Sequence, residues 1–257
     1  MTMMDNSVDS VVASSCSSSS DVWQRCLRAL KPGGHAVVLA EPTAYHRVAV
    51  AIEDAGFEIR DQIIWLHDRH NSIVLARKPL VGTVANNVLT YGVGGLNIDD
   101  TRVPSDDGFE KAWDRPISTN ISAKGGKFIS EGIQHTVDLS GNKPKGGRWP
   151  ANVITDGSAG VVAGFPDSNG GAFPQKSNVP TGRHYEGGWG AVDNGVRTEM
   201  GSGSAVRFFA TAPTQISLFR YLIKLVTPPN GVVLDPFDDS TIAAAIEAEG
   251  MTRARNK

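Results

Sequence analysis

The spacing of apolar and polar positions divides the chain into a regular start, an irregular middle and a regular end. Ser7 to Val12 alternates and ends apolar, a weak strand pattern. Residues 14–20 read Ser-Ser-Cys-Ser-Ser-Ser-Ser and carry no periodicity, the composition of a flexible linker. Asp21 predicts a helix start. Gln24 stands at capping-box spacing from it, and Val22, Trp23, Cys26, Leu27 and Leu30 are apolar. Pro32-Gly33-Gly34 predicts the stop. Residues 36–40 are continuously apolar, as in a strand buried on both faces of a parallel sheet. Thr43 is expected to cap a second helix, with Tyr45, Val48, Ile52 and Ala55 on one face and Gly56 at its end. Residues 59–66 and 73–76 read as further strands.

The pattern breaks after this β-α-β-α-β-β run. Residues 82–204 hold most of the 28 glycines and little periodicity. Only Leu96-Asn97-Ile98 and Asn152-Val153-Ile154 look strand-like there. Regularity returns after Gly203. Residues 206–210 read as a strand, and Pro213 stands where a first helical turn begins. Ile216, Phe219, Leu222, Ile223 and Val226 follow at helical spacing. Pro228-Pro229-Asn230-Gly231 is a turn, and residues 232–234 are a buried strand ending in Asp235. Asp239 or Ser240 caps a last helix through Glu249, closed by Gly250. The expected fold class is α/β. Residues 1–81 and 205–257 form the two halves of one sheet, and residues 82–204 are an insertion.

Composition narrows this picture. A chain of 257 residues that is 40% hydrophobic can bury a sizeable core, and its glycine and proline stay below the low-complexity range. A disulfide scaffold, a collagen-like repeat and a coiled coil are excluded. The formal net charge of -2 argues against a free-standing electrostatic DNA clamp, so nucleic-acid contact has to be local. Residues 111–150 do carry a local positive excess. Lys111, Arg115, Lys124, Lys127, Lys143, Lys145 and Arg148 face only Asp114, Glu131 and Asp138. A solvated loop accounts for that excess as readily as a DNA-binding surface. The two cysteines, Cys16 and Cys26, cannot make a zinc site alone, and a reducing interior is expected. No run approaches the ~18 apolar residues of a membrane span, and the start has no basic flank with an apolar segment. A cytoplasmic protein without a secretory signal or membrane partner is expected.

The candidate chemistry begins at Val232-Val233-Leu234-Asp235-Pro236-Phe237, followed by Asp238-Asp239-Ser240-Thr241 and a helix. A strand ending in an acid and turning into a helix is how doubly wound proteins build nucleotide-type sites. Asp238 and Asp239 stand where glycine would let a backbone approach a ligand, so on the residues alone the site signal is weak and a buried strand with a polar turn is the readier reading. The segment "LVTPPNGVVLDPFDDST" resembles the cofactor motif of the DNA amino-methyltransferases, the adenine-N6 and cytosine-N4 enzymes that use S-adenosylmethionine. Residues 30–66, 73–80, 88–103, 147–154 and 201–212 resemble stretches of phage and bacterial members in the same order. That order, with the cofactor turn last, is similar to the permuted beta class.

The resemblance implies a Rossmann-like, seven-stranded methyltransferase sheet with residues 82–204 as the region that reads double-stranded DNA. Lys124, Lys127, Lys143, Lys145 and Arg148 are then the candidate DNA contacts, and Asp235, Pro236, Phe237, Asp239 and Ser240 the candidate S-adenosylmethionine contacts. The target base has to leave the duplex. An exocyclic amine is a poor nucleophile, because its lone pair is delocalised into the ring. The family holds the amine with an Asp/Ser/Asn-Pro-Pro-Tyr motif and transfers the methyl group in line, without a metal. The permuted class commonly pairs, which makes the helices near 43–55 and 213–226 candidate homodimer surfaces.

The departures from the family pattern fall on its loops. Ser14, Ser15, Cys16 and Ser17 stand at the catalytic motif, with no proline and no aromatic ring. The glycines of the cofactor turn are replaced by Asp239-Ser240-Thr241-Ile242. The acid for the ribose hydroxyls, due about 20 residues past the first strand, is replaced by Arg253-Ala254-Arg255. His67 and His70 lie in a shortened loop and read as polar loop residues, since an isolated histidine pair does not make a metal set. Cys16 has no evident base beside it that would make it a nucleophile. The strands and helices read as intact. A DNA methyltransferase and a non-catalytic DNA-binding or decoy protein on the same scaffold both remain open.

Overall fold

A computed structural model of the chain describes residues 4–14, 19–105, 117–120, 134–137, 146–169 and 202–255. The first part runs β1 (Val8–Ser14), α1 (Ser20–Ala29), β2 (Leu30–Ala40), α2 (Tyr45–Asp54), β3 (Glu58–Leu66), β4 (His70–Arg77) and α3 (Val84–Tyr91). The middle holds β5 (Ile117–Asn120), β6 (Gln134–Val137), β7 (Val153–Thr155), α4 (Ala159–Ala163), β8 (Asp167–Asn169) and β9 (Ser202–Ser204). The end adds β10 (Ala210–Thr211), α5 (Gln215–Val226), β11 (Val232–Asp235), α6 (Ser240–Ala248) and β12 (Thr252–Arg255).

Eight strands form one sheet in the order β10-β7-β3-β4-β2-β1-β11-β12. Only β4 runs antiparallel to its neighbours. The pairing of β1 with β11 joins the N- and C-terminal parts into one sheet, Ser10 against Val233 and Val11 against Leu234. Strand periodicity of two explains the layers. Val12, Val37 and Leu39 point to one face, where Leu218, Phe219, Leu222 and Ile223 of α5 and Ile242 and Ile246 of α6 cover them. Val11, Ala36 and Val38 point to the other, under Trp23 and Cys26 of α1 and Val48 and Ile52 of α2. Helices on both faces of a largely parallel sheet are the Rossmann-like α/β arrangement expected from sequence.

Several local expectations are corrected. β1 is a buried strand rather than a weak one. Helix α1 begins at Ser20 after Ser19, and no side chain caps it, so Asp21 lies in its first turn. Helix α1 ends at Ala29, before Pro32-Gly33-Gly34, which lies inside the eleven-residue β2 rather than forming the stop. The pairing with β1 jumps there from Val8–Leu30 to Ser10–His35, a bulge that takes up the extra residues. Gly33 is required in it. Its φ is +78°, and a Cβ would come within 2.2 Å of the Asn87 amide nitrogen. The residue before α2 is Ala44, not Thr43. Leu96-Asn97-Ile98 is not a strand and leads into a 3-10 turn at Asp99–Thr101. Residues 206–210 divide into a 3-10 turn at Ala205–Phe208 and the short β10. Pro213 precedes the helix, and Thr214 caps α5 through a capping box with Ser217.

The chain divides into two compact units. One comprises residues 1–103, 149–165 and 208–257, the α/β sheet and its helices. The other comprises residues 104–148 and 166–207. Its described strands pair as β5 with β6 and β8 with β9, and the Arg207 guanidinium donates to the carbonyls of Ser168, Gly203 and Ser204.

Candidate functional site

Parallel strands end together at one edge of the sheet, and three features meet there. β11 ends in Asp235, β1 ends in Ser14, and β2 ends at Ala40. β1 lies between the other two, so Ser14 separates the turn after β11 from the space beyond β2. Such an edge is where open α/β sheets hold ligands.

The turn after β11 gathers Asp235, Pro236, Phe237, Asp239 and Ser240. Asp235 is buried, and one carboxylate oxygen accepts from the Phe237 amide at 3.2 Å. The other accepts from the Arg253 guanidinium at 2.6 Å. The same Arg253 nitrogen lies 2.7 Å from the Asp238 carboxylate and 3.5 Å from the Asp239 carbonyl oxygen. Arg255 approaches Asp238 at 3.8 Å. Asp238 has φ +57°, the left-handed region that favours glycine. Asp239 is the N-cap of α6, its carboxylate accepting from the amides of Thr241 at 2.7 Å and Ile242 at 3.3 Å. That closes two of the donors a helix N-terminus would offer to an anion. Phe237 meets the edge of buried Trp23, with ring centroids 5.9 Å apart.

On the other side of β1 lies a cavity of about 310 Å³ lined by Ser14, Ala40, Glu41, Trp65, Asn71 and Gln215, among others. The Trp65 ring is pinned by its N–H, which donates to the Ala212 carbonyl at 3.1 Å. His67 packs against that ring at 4.7 Å. His67 bonds Asp68 through Nδ1 at 2.5 Å and Asn71 Oδ1 through Nε2 at 2.8 Å. The hydrogen bond from His67 is the main cause holding the Asp68 carboxyl below its usual range. His67 therefore serves this hydrogen-bonded wall. Among the described residues no group of three His, Cys, Asp or Glu is placed to hold a metal ion.

Of the residues singled out from sequence, Ser14 and the five at the β11 turn lie on this edge. Ser15, Cys16 and Ser17 lie outside the described residues, as do the side chains of Lys124, Lys127, Lys143 and Lys145. Arg148 is half-buried in the second unit. Cys26 is buried in the sheet's second layer, and burial pushes its thiol up to about 12. Sequence reasoning noted Arg253 only as a missing acid and passed over Glu41, Trp65, Asn71 and Gln215. Strand ends carry no periodic signal, and their convergence depends on pairing between distant segments. Among the described residues no helix is long and apolar enough to cross a membrane.

Comparison with solved structures finds similar chains at low identity. The cytosine-N4-specific PvuII DNA methyltransferase is similar in structure, at 13% identity and TM-score 0.41, over 98% of this chain and 75% of that one. The M1.HpyAVI–SAM complex is similar at 13% identity and TM-score 0.42, over 99% of this chain and 81% of that one. Protein TTHA0409 of Thermus thermophilus, complexed with S-adenosyl-L-methionine, is similar at 14% identity and TM-score 0.45, over 99% and 82%. No curated protein sequence matches the chain significantly. The family model described as DNA methylase matches residues 16–250. A match over that much of the chain is decisive: the protein belongs to the N6/N4 DNA methylase family.

Proposed function

We propose that this protein acts on DNA as a methylase-family scaffold that keeps the base-facing half of the site while its own side chains close the cofactor half. Members of the family are S-adenosylmethionine-dependent DNA methyltransferases, which modify the exocyclic amine of adenine or cytosine. The observation that carries the reading is the cluster of Arg253, Asp235 and Asp238 beside the Asp239 cap.

S-adenosylmethionine brings a carboxylate, an ammonium, a sulfonium and a ribose diol. Its carboxylate would meet the Asp239 carboxylate at the α6 N-terminus, where two amides are already satisfied. Its diol would need an acceptor along β12, where Arg253 and Arg255 stand as donors only. Asp235 has one oxygen committed to Arg253 and the other to Phe237. The residues present do not fit the cofactor in this arrangement. The base-facing side keeps a cavity, an aromatic ring and several polar groups. The second unit, with Lys124, Lys127, Lys143, Lys145 and Arg148, is the part we assign to DNA reading.

Calorimetric titration with S-adenosylmethionine is expected to show no saturation in the micromolar range. Duplex binding, read by fluorescence anisotropy, is expected to weaken steeply with salt, each phosphate contact adding about -0.9 to the log–log slope. Micromolar cofactor binding would overturn the closed-turn half of the reading. Methyladenine or methylcytosine above background in DNA from expressing cells would do the same. A flat salt response or no duplex binding would overturn the DNA half.

A further inference from the structure

We propose that a second cavity, between the β3–β4 connection and α4, binds a small organic ammonium ion, with the apolar body against α4 and the charge on Asp68. The proposal does not rest on the DNA-directed reading above, and every residue that carries it belongs to the α/β unit. The cavity is about 560 Å³, within the range of small-molecule sites. Its walls follow from helical spacing. Val161 and Phe165 stand four residues apart along α4 and the turn that ends it, and Gly160 and Gly164 stand four apart beside them. Leu66, the last residue of β3, completes the apolar surface. Phe165 is braced by Phe209, with ring centroids 5.2 Å apart. Gly160 keeps the space open. A Cβ there would meet nothing within 4 Å, and its φ is not positive. Neither packing nor backbone conformation therefore calls for glycine in a helix that glycine weakens.

The charges decide the class of ligand. Among the described residues that line the cavity, Asp68 is the one carboxylate, and no Lys or Arg is present. Asp68 bonds His67 Nδ1 at 2.5 Å, and that bond is the main cause holding its carboxyl below the usual range. The Asp68 side chain is 80% exposed, which leaves the carboxylate open to a second partner. The amide at the start of α4 is not offered to an anion, since the Ser158 N–H donates to the Asp156 carboxylate at 2.9 Å. An anion here, a nucleic-acid phosphate included, would meet negative charge without a cationic donor. An ammonium meets the Asp68 carboxylate and the aromatic wall of Phe165. His67 lines this cavity too and also bonds Asn71, which lines the cavity beside Ser14. A cation drawn to Asp68 therefore acts on a residue shared by both cavities, and His67 is the natural reporter.

The test is an NMR titration of the full chain with probes of like shape and different charge: phenethylammonium, phenylethanol and phenylpropionate. The reporters are the His67 ring and Val161 methyl signals, assigned with His67→Gln and Val161→Ala. They are expected to saturate with phenethylammonium at about threefold lower concentration than with phenylethanol, the scale of one exposed ion pair. Phenylpropionate is expected not to saturate them. Salt at about 1 M is expected to bring the cation and the alcohol together. Asp68→Asn is expected to abolish the preference for the cation while the alcohol still binds. Gly160→Leu fills the open space and is expected to abolish saturation by every probe, with thermal unfolding no lower than wild type. Equal responses to the probes, no response to the cation, or unchanged binding in Gly160→Leu overturns the proposal, and the wild-type titration alone is enough to do so. None of the probes is a nucleotide or the cofactor, so failure here leaves the DNA-directed reading standing, and loss of duplex binding leaves this site standing.

Discussion

Arg253 shows how a single side chain changes what a site can accept. The Arg253 guanidinium, from the second residue of β12, reaches the carboxylates of both Asp235 and Asp238. Asp239 does the same at the α6 N-terminus, where a side chain stands in for an external anion. His35 shows the cost of burial for a titratable group. It is 4% exposed, faces Arg77 across the β2–β4 pair, and its Nδ1 has no hydrogen-bond partner among the described residues. Burial first, then the charges of Arg77 and Arg60, push its pKa down from 6.5 to about 4. The unfolded chain therefore binds the proton more readily between those values. Stability is full above the unfolded pKa and falls as the pH drops toward the folded one, by about 3 kcal/mol in all. Urea unfolding of wild type and His35→Gln at about pH 7.5 and about pH 5 checks this. The variant should lose most of the difference, and an unchanged pH dependence would contradict the assignment.

At the scale of elements, the bulge in β2 ties the sheet to α3. Asn87, fully buried on α3, accepts from the Val81 amide and donates to the carbonyls of Pro32 and Val93. Gly33 leaves room for that amide. Gly33→Ala combines a positive φ with a clash against the buried Asn87 and the Leu80 side chains and is expected to cost about 3 kcal/mol, at the upper end of single substitutions. Thermal unfolding measures it, and a shift within error of wild type would refute the packing argument. This same region marks the limit of sequence legibility. Helix α3 lacks an apolar stripe, since Val84, Val88 and Leu89 are exposed and only Asn87 is buried. Its bounds come from the Thr83 cap and the left-handed Gly92. Helix α5, by contrast, buries most of the apolar face that its spacing announced, Ile216 excepted. β12 was invisible because its four residues, Thr-Arg-Ala-Arg, become a strand only by pairing with β11.

At the scale of the molecule, segments from opposite ends of the chain close one sheet, and Asp9 is the clasp. It is 5% exposed, accepts from Lys31 at 2.6 Å and from the Val232 amide at 2.7 Å, and so joins β1, β2 and β11. Ser10 and Thr227 add a second buried bond across the same seam. Asp9→Ala leaves a strand amide and a half-buried ammonium without their acceptor, and is expected to cost about 2–4 kcal/mol. Tryptophan fluorescence and far-ultraviolet circular dichroism should report the same shifted transition, because both ends share one core. A loss confined to one probe would show that the halves unfold separately.

What the sequence by itself determined is the set of elements whose burial is periodic. These are the continuous apolar run of β2, the faces of α2 and α5, and the strand–acid–turn–helix order at Asp235. Together with the family motifs they point to a Rossmann-like sheet, because local spacing states which side of an element must leave water. What only the tertiary structure decided is which groups meet at the ends of those elements. Arg253 meets Asp235 across two strands. Asn71 and Gln215, far apart in the chain, line one cavity with Ser14. Hydrogen bonds of this kind depend on the pairing of distant strands and on the few ångströms between side chains. Neither leaves a period in the sequence, and together they decide which groups meet at this edge.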